Sequence, residues 1–346
     1  MYITPRDSHI TYSGRVFHKD ATVSFDWPGI QIFLNFSGTS ISAILEGYNF
    51  FDVLIDDFPP TIVEATHDKQ TILLADGLED KPHKVVLHKR SESNSHLSRF
   101  YGFIIEGTPL APEPLPDRRI EFIGDSHTVG YGNEYPAINC PAEEHDRIYM
   151  SSTNTRMAFG PLTAKVLNAQ YQINAYSGRG LLRNYNWEMR GKEFLYFYGK
   201  TLISQMNRTG SSPDWDFSSW IPHVTVVNIG INDFQKDPPH ADPDLFDQTY
   251  RSFLNQIRNR YPGVKIICVG STVTPDRNRL IKRITSIVNA ERASGKEDIW
   301  YFEYEPENTA LDQHPSLEDH RRISKGLSQL VGKITGWEIE MLDGQW

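Results

Sequence analysis

Along the first hundred residues, apolar side chains recur in short runs separated by Gly, Pro, Asp and Ser. Residues 10–16, 21–27, 30–36, 41–45, 51–55, 71–74, 84–88 and 100–105 are rich in Val, Ile, Phe, Tyr and Thr, and none carries a helical period. β-Branched and aromatic residues suit a pleated, half-buried surface, so the spacing predicts eight short strands in an all-β sandwich or jelly roll.

The segment from Gly107 to Asp117 then places Pro109, Pro112, Pro114 and Pro116 within eight positions. Proline at that density makes a stiff, extended connector. The expected division is a β-sandwich domain over 1–108, a connector over 109–118 and a second domain over 119–346. Beyond the connector the pattern alternates. Residues 119–123, 170–175, 224–229, 264–269 and 299–304 read as buried strands. Residues 155–167, 244–261, 276–293 and 317–335 read as helices, with Pro161 an irregularity in the first. Strands alternating with helices predict a parallel sheet covered on both faces, an α/β fold of three layers. In such sheets chemistry sits beyond the carboxyl ends of the strands, so functional residues belong just after the apolar runs.

Composition narrows the choice of partner. The 346 residues carry a formal charge of −9 and no long run of Lys or Arg, which argues against nucleic acid or an anionic membrane. No stretch approaches the roughly 20 apolar residues that span a bilayer. The amino-terminal stretch has no basic region followed by an apolar one, so the sequence as written is expected to stay cytoplasmic; a trimmed leader would make it secreted or periplasmic. The two cysteines give no disulfide framework: Cys268 falls in a predicted core strand and Cys140 in a polar loop. No Cys/His spacing of a zinc site is present.

Three loops after apolar runs carry candidate chemistry. Gly124-Asp125-Ser126-His127 follows the first strand of the second half and would expose Ser126 beside a helix start; alone, the common Gly-Asp-Ser tripeptide reads first as an ordinary strand-to-helix turn capped by Ser126. Gly230-Ile231-Asn232-Asp233 follows the run 224–229 and offers an amide N–H₂ to an oxyanion, or forms an Asx turn. Asp312-Gln313-His314-Pro315-Ser316 precedes the last helix, so His314 is placed to take a proton from Ser126, or to be an ordinary helix-entry residue. His320, six residues on, is a rival base inside the predicted helix. A fourth loop, Tyr176-Ser177-Gly178-Arg179-Gly180, follows the strand 170–175.

Together, in this order, the Gly-Asp-Ser, Gly-x-Asn-Asp and Asp-x-His-Pro blocks resemble the SGNH, or GDSL-type, hydrolase superfamily. The pairing of a β-sandwich and a Pro-rich connector with "IEFIGDSHTVGYGNE", "SGRGLLRNY" and "DQHPS" is similar to carbohydrate esterase family 2. The resemblance implies a serine esterase with a jelly-roll domain before a three-layer SGNH domain. It would remove O-acetyl groups from plant-wall polysaccharides or oligosaccharides, often at the sugar 6-position, and need no metal or cofactor. It implies Ser126 as nucleophile and His314 as base. The oxyanion hole would be the N–H of Ser126, the N–H of Gly178 (or Gly180) and the side chain of Asn232.

Two departures stand out. The superfamily places its acid three residues before the histidine, where this chain has Leu311; Asp312 is two before. Either Asp312 or a backbone carbonyl then orients His314. His127 stands where an apolar residue is usual. Tyr131, Arg179 and Arg183 are candidates to contact sugar, and Tyr48, Phe50 and Phe51 of the first domain to stack on it. Two other functions use the same features: a carbohydrate-binding protein with an inactive hydrolase-like domain, and an SGNH lipase or thioesterase.

Overall fold

The computed structural model describes residues 1–93, 96–236 and 238–340. Its chain folds into two compact units. The first is Met1–Leu115 together with a returning segment, Lys200–Trp215; the second is Pro116–Gly199 with Asp216–Trp346.

The first unit is an antiparallel β-structure. Its backbone is one 16-residue strand, Gln31–Glu46, which pairs along its length with Ser98–Leu110 and also with Lys81–Lys89. The pattern predicts two strands here, 30–36 and 41–45. The intervening Gly38-Thr39-Ser40 is no turn: the strand runs through it, and a bulge at Thr39, which is left unpaired opposite the Glu106–Gly107 step of the partner, absorbs the slip in alternation. Strand Thr61–Ala65, absent from the expected set, pairs with Asn49–Ile55. Trp27, Phe25, Phe36, Phe100 and Phe103 fill the core, and Phe50 and Phe51 are buried with them, so those two are not a stacking surface.

A buried carboxylate fastens the returning segment. Asp26 lies just before Trp27 and accepts from the backbone N–H groups of Ile203 and Ser204, each at 2.8 Å, and from Ser204 Oγ at 2.7 Å. Those amides open the helix Ile203–Thr209, whose first N–H groups have no partner within the helix. The Asp26 side chain therefore does the work of a cap across 177 residues of sequence.

The second unit holds five parallel strands in the order Ala169–Ala175, Arg118–Gly124, Val224–Asn228, Lys265–Ser271, Ile299–Tyr304. Neighbouring residues on a strand point to opposite faces, and the cores follow that rule. Ile123, Val227 and Ile266 join the helices Pro243–Arg260 and Arg279–Ala293 on one face. Phe122, Val226 and Ile267 meet Phe159–Val166 and Leu317–Thr335 on the other. Cys268 is a core thiol, as expected. The helix expected over 155–167 is broken: Thr155–Met157 is a 3-10 turn, Ala158 is extended, and the α-helix is Phe159–Val166. Pro161 stands at its third position, where no N–H is required. Helices His145–Ser152, Phe194–Tyr198 and Ile203–Thr209 carry no clear period and were not foreseen.

In chain order the strands run second, first, third, fourth, fifth. The order reverses between the first and third, and the loops leaving these two strands part there to leave a crevice. Those loops carry Ser126 and Asn232.

Replacing Asp26 by Ala leaves two buried amides and a hydroxyl without an acceptor. The expected loss is about 3 kcal/mol of unfolding free energy, measured by urea denaturation followed through tryptophan fluorescence; a loss below about 0.5 kcal/mol would contradict this role for Asp26.

Candidate active site

Strand Arg118–Gly124 ends at a glycine for a steric reason. A Cβ on Gly124 would lie 2.0 Å from Thr128 Oγ1 and 2.8 Å from Asn228 O. Asp125 then caps the short helical turn Ser126–Val129, its Oδ1 accepting from His127 N at 3.1 Å. Ser126 occupies the first helical position, where the backbone N–H has no partner within the helix. Its side chain is 7% exposed, at the floor of a pocket of about 430 Å³ in the second unit.

His314 reaches that pocket from the connection between the edge strand Ile299–Tyr304 and the last helix. It closes the 3-10 turn Leu311–Gln313, in which Asp312 and Gln313 have φ of 52° and 60°. Two residues later Ser316 and Asp319 form a reciprocal capping box on the helix Leu317–Thr335, and Asp319 also accepts from Glu307 N at 2.9 Å. The loop bearing the imidazole is thus held at both ends.

The ring sits 2.9 Å from Ser126 Oγ through Nε2 and 3.0 Å from Leu311 O through Nδ1. A carbonyl oxygen can only accept, so Nδ1 carries the hydrogen and Nε2 offers its lone pair to the serine hydroxyl. Burial pushes the His314 ring down to about pKa 4, against the upward pull of the Leu311 carbonyl. The ring is therefore neutral at pH 7, the form that can take a proton.

Asp312 does not touch the ring nitrogen. Its Oδ2 accepts from Tyr131 Oη at 2.8 Å and pairs with His145 Nε2 at 2.7 Å. Burial raises its carboxyl, but the bonds from His145 and Tyr131 outweigh this and hold it below the usual value. The two readings left open by the sequence thus separate: a carbonyl holds Nδ1, and the acid holds a tyrosine. Tyr131 in turn stacks on His314, with centroids 4.3 Å apart and planes at 25°.

Two further loops supply amide donors. Gly178 has φ of +74°, a conformation that side chains rarely adopt, and its N–H makes no hydrogen bond to the described residues. Gly180 N–H instead donates to Asn184 Oδ1 at 3.2 Å. Asn232 Nδ2 gives one hydrogen to Arg179 O at 3.0 Å. Its other contact, Asp125 Oδ2 at 3.5 Å, is too long for a full bond, which leaves a hydrogen for a ligand. Gly178 and Asn232 both line the pocket with Ser126 and His314.

Arg179 and Arg183 do not line it. Arg179 is buried over the Tyr176 ring, 4.4 Å from its centroid. Arg183 donates to Asn232 O at 2.6 Å and Gln235 O at 3.1 Å, and Asp233 takes the backbone N–H groups of Leu181, Leu182 and Arg183 at 2.7–2.9 Å. Arg183 and Asp233 clamp the Gly178 and Asn232 loops together, while Arg179 packs on Tyr176 and Phe197, so neither arginine lines the pocket in which contact with sugar is expected of it. His320 is also excluded as a base: it is buried and accepts from Phe159 N through Nδ1 at 3.2 Å. Asp125 and Asp233 are pushed up by burial, to about 8 and about 7.

Pocket residues that sequence reasoning missed include Tyr185 and Lys236, whose ammonium lies 4.8 Å from the Tyr185 ring centroid. They sit several residues beyond the strand ends, where no local pattern marks them. Tyr304 was findable: it ends a predicted strand. Its hydroxyl lies 2.9 Å from His127 Nδ1. Among the described residues no group of three or more His, Cys, Asp or Glu is placed to hold a metal ion, and no helix is long and apolar enough to cross a membrane.

Comparison with known proteins gives the arrangement a family. Residues 12–114 match the profile of the carbohydrate esterase 2 N-terminal domain, and residues 120–327 that of the GDSL-like lipase/acylhydrolase. The chain is 32% identical over 341 residues to cellulase/esterase CelE of Acetivibrio thermocellus, of which it spans 40% of the length. It is 30% identical over 348 residues to an acetylxylan esterase / glucomannan deacetylase of Cellvibrio japonicus, with 95% of this chain and 88% of that protein covered. Among solved structures, a family two carbohydrate esterase from Clostridium thermocellum in complex with cellohexaose matches at a TM-score of 0.84 and 30% identity, over 95% of this chain and 99% of that one. One from Cellvibrio japonicus matches at 0.87 and 27%, over 97% and 98%. With both domain profiles matched in series and full-length relatives alike in sequence and fold, this chain belongs to carbohydrate esterase family 2, on a GDSL-type hydrolase domain.

Proposed function

We propose that the protein is a serine esterase that removes acetyl groups from O-acetylated carbohydrate. The observation that carries the reading is the line Leu311 O, His314 Nδ1–H, His314 Nε2, Ser126 Oγ, with bonds of 3.0 and 2.9 Å. Ser126 Oγ attacks the acetyl carbonyl carbon while His314 Nε2 takes its proton. The carbonyl oxygen becomes an oxyanion that accepts from Ser126 N–H, Gly178 N–H and Asn232 Nδ2. One such donor contributes about 3–4 kcal/mol to the transition state. The C–O bond to the sugar then breaks, and His314 returns the proton to the leaving alkoxide. Water, activated by the same imidazole, releases acetate from Ser126.

Acetylated xylan or glucomannan as substrate is supported by the names of the Cellvibrio relatives, and a β-glucan chain in the cleft by the cellohexaose complex of the Clostridium one. The third member of a catalytic triad chiefly fixes the tautomer and orientation of the imidazole. Here the Leu311 carbonyl does so, and Asp312 acts on the ring through Tyr131, as a positioning residue.

Acetate release from acetylated xylan and glucomannan is expected from the wild-type protein, and Ser126→Ala should lower kcat by about 10⁴-fold or more. Equal rates for the two proteins would exclude this nucleophile. Asp312→Asn should lower kcat by no more than about tenfold, since a triad acid is worth about 10⁴; a loss near the larger figure would show that the carboxylate, and not the carbonyl, orients the ring. The reaction needs neutral His314, so kcat/KM should stay level from pH 8 down to about 5 and fall as the pH approaches about 4. A midpoint near 6.5, the ordinary histidine value, would contradict the burial described here.

A further inference from the structure

His127, beside the nucleophile, has a side chain that the mechanism above does not use. It is 6% exposed and still lines the pocket, its ring centroid 5.6 Å from that of His314. Its Nδ1 lies 2.9 Å from Tyr304 Oη. That oxygen receives a hydrogen from Asn228 Nδ2 at 3.1 Å; for its own hydrogen His127 Nδ1 stands at 2.9 Å, whereas Asn228 Oδ1 is 3.5 Å away and the nearby Ser271 hydroxyl makes no bond of normal geometry. The hydroxyl therefore donates to the ring. A neutral imidazole whose Nδ1 accepts carries its hydrogen on Nε2. Burial keeps His127 neutral and the Tyr304 phenol protonated. The Nε2–H makes no hydrogen bond to any described residue.

A smaller cavity of about 60 Å³ shares His127, Ile231, Gln235 and Gln313 with the main pocket, and Thr272, Val273, Thr274, Arg277 and Asn308 complete it. Apart from Ile231 and Val273, the wall on this side of the nucleophile thus presents hydrogen-bonding side chains, as a hydroxyl-bearing ligand requires. The donors for the acetyl oxygen are other groups: the backbone N–H of Ser126 and, on separate loops, Gly178 N–H and Asn232 Nδ2.

We infer that His127 is a specificity-determining residue for the alcohol half of the ester: its Nε2–H, fixed by the Asn228–Tyr304 relay, donates to a hydroxyl or ring oxygen of the sugar next to the acetylated position. The inference rests on the esterase reading and deepens it. It separates polyhydroxy alcohols from simple ones. A site that hydrogen-bonds a substrate oxygen loses much of its rate with an analogue that lacks it, because the buried donor is then left unpaired.

The test compares two acetate esters of aliphatic alcohols, methyl 6-O-acetyl-glucopyranoside and ethyl acetate, in kcat/KM. For His127→Leu the sugar acetate should lose at least about tenfold more than ethyl acetate does. His127→Gln, which restores an N–H donor, should recover most of that difference. Tyr304→Phe, which frees the ring to exchange tautomers, should shift the ratio the same way by a smaller factor. Equal losses on both esters in His127→Leu would make the ring a packing or oxyanion group, and no loss on either would make it idle; both results overturn the inference while leaving the esterase reading intact. A wild-type protein inactive on both esters would instead overturn the esterase reading itself.

Discussion

A histidine can serve a serine only if its far nitrogen is kept protonated and its ring kept in plane with the hydroxyl. In this protein one backbone carbonyl, that of Leu311, meets both conditions, and the site is arranged around that bond. A carbonyl is a neutral acceptor. It orients the ring without placing a negative charge against it, so burial is left to dominate and His314 stays unprotonated well into acid. The positive φ values of Asp312 and Gln313 follow from the same requirement: the chain must turn back sharply for His314 to reach a carbonyl only three residues behind it. Asp312, displaced by that turn, becomes the acceptor for Tyr131, whose ring then covers the imidazole.

The remaining groups are positioned by buried polar clamps. Asp233 collects three amides of the loop after Gly178, and Arg183 of that loop returns a guanidinium to the carbonyls of Asn232 and Gln235. Each loop therefore fixes the other. Such reciprocal bonding gives donors that need no reorganisation when charge develops on a bound carbonyl. It also explains why ionisable side chains at this depth are tolerated: Asp125, Asp233, Arg183 and His314 are each met by backbone, and buried polar groups are retained where partners satisfy them. Asp26 follows the same logic in the first unit, where a carboxylate before Trp27 supplies the helix cap that the local sequence at Leu202 lacks.

Much of this was legible in the amino-acid sequence. Short runs of β-branched and aromatic residues between turn residues marked the β-domain, and alternating strands and helices marked the parallel sheet. The ends of the helix Leu317–Thr335 and the strand Ile299–Tyr304 could be read to the residue. The rule that chemistry follows the carboxyl ends of parallel strands pointed to the loops of Ser126, Asn232 and His314, and the family resemblance added Gly178. Where the pattern misled, it did so for local reasons. Gly38-Thr39-Ser40 has the composition of a turn, yet it forms a bulge at Thr39 inside one continuous strand, paired on both sides of it with Ser98–Leu110. Arg179 and Arg183 look like surface cations because sequence carries no measure of burial for a guanidinium that finds carbonyl and aromatic partners.

What the sequence determined alone is the set of loops and the residue types they present, because backbone propensity and apolar periodicity are local properties. What only the tertiary structure decided is which atoms meet. Whether Leu311 or Asp312 holds the imidazole, whether an arginine faces sugar or a carbonyl, and which nitrogen of His127 keeps its hydrogen all depend on angles a few residues long and on neighbours up to 188 positions away. A difference of about 1 Å in such contacts separates a hydrogen bond from none, and no periodicity in the chain encodes distance at that scale.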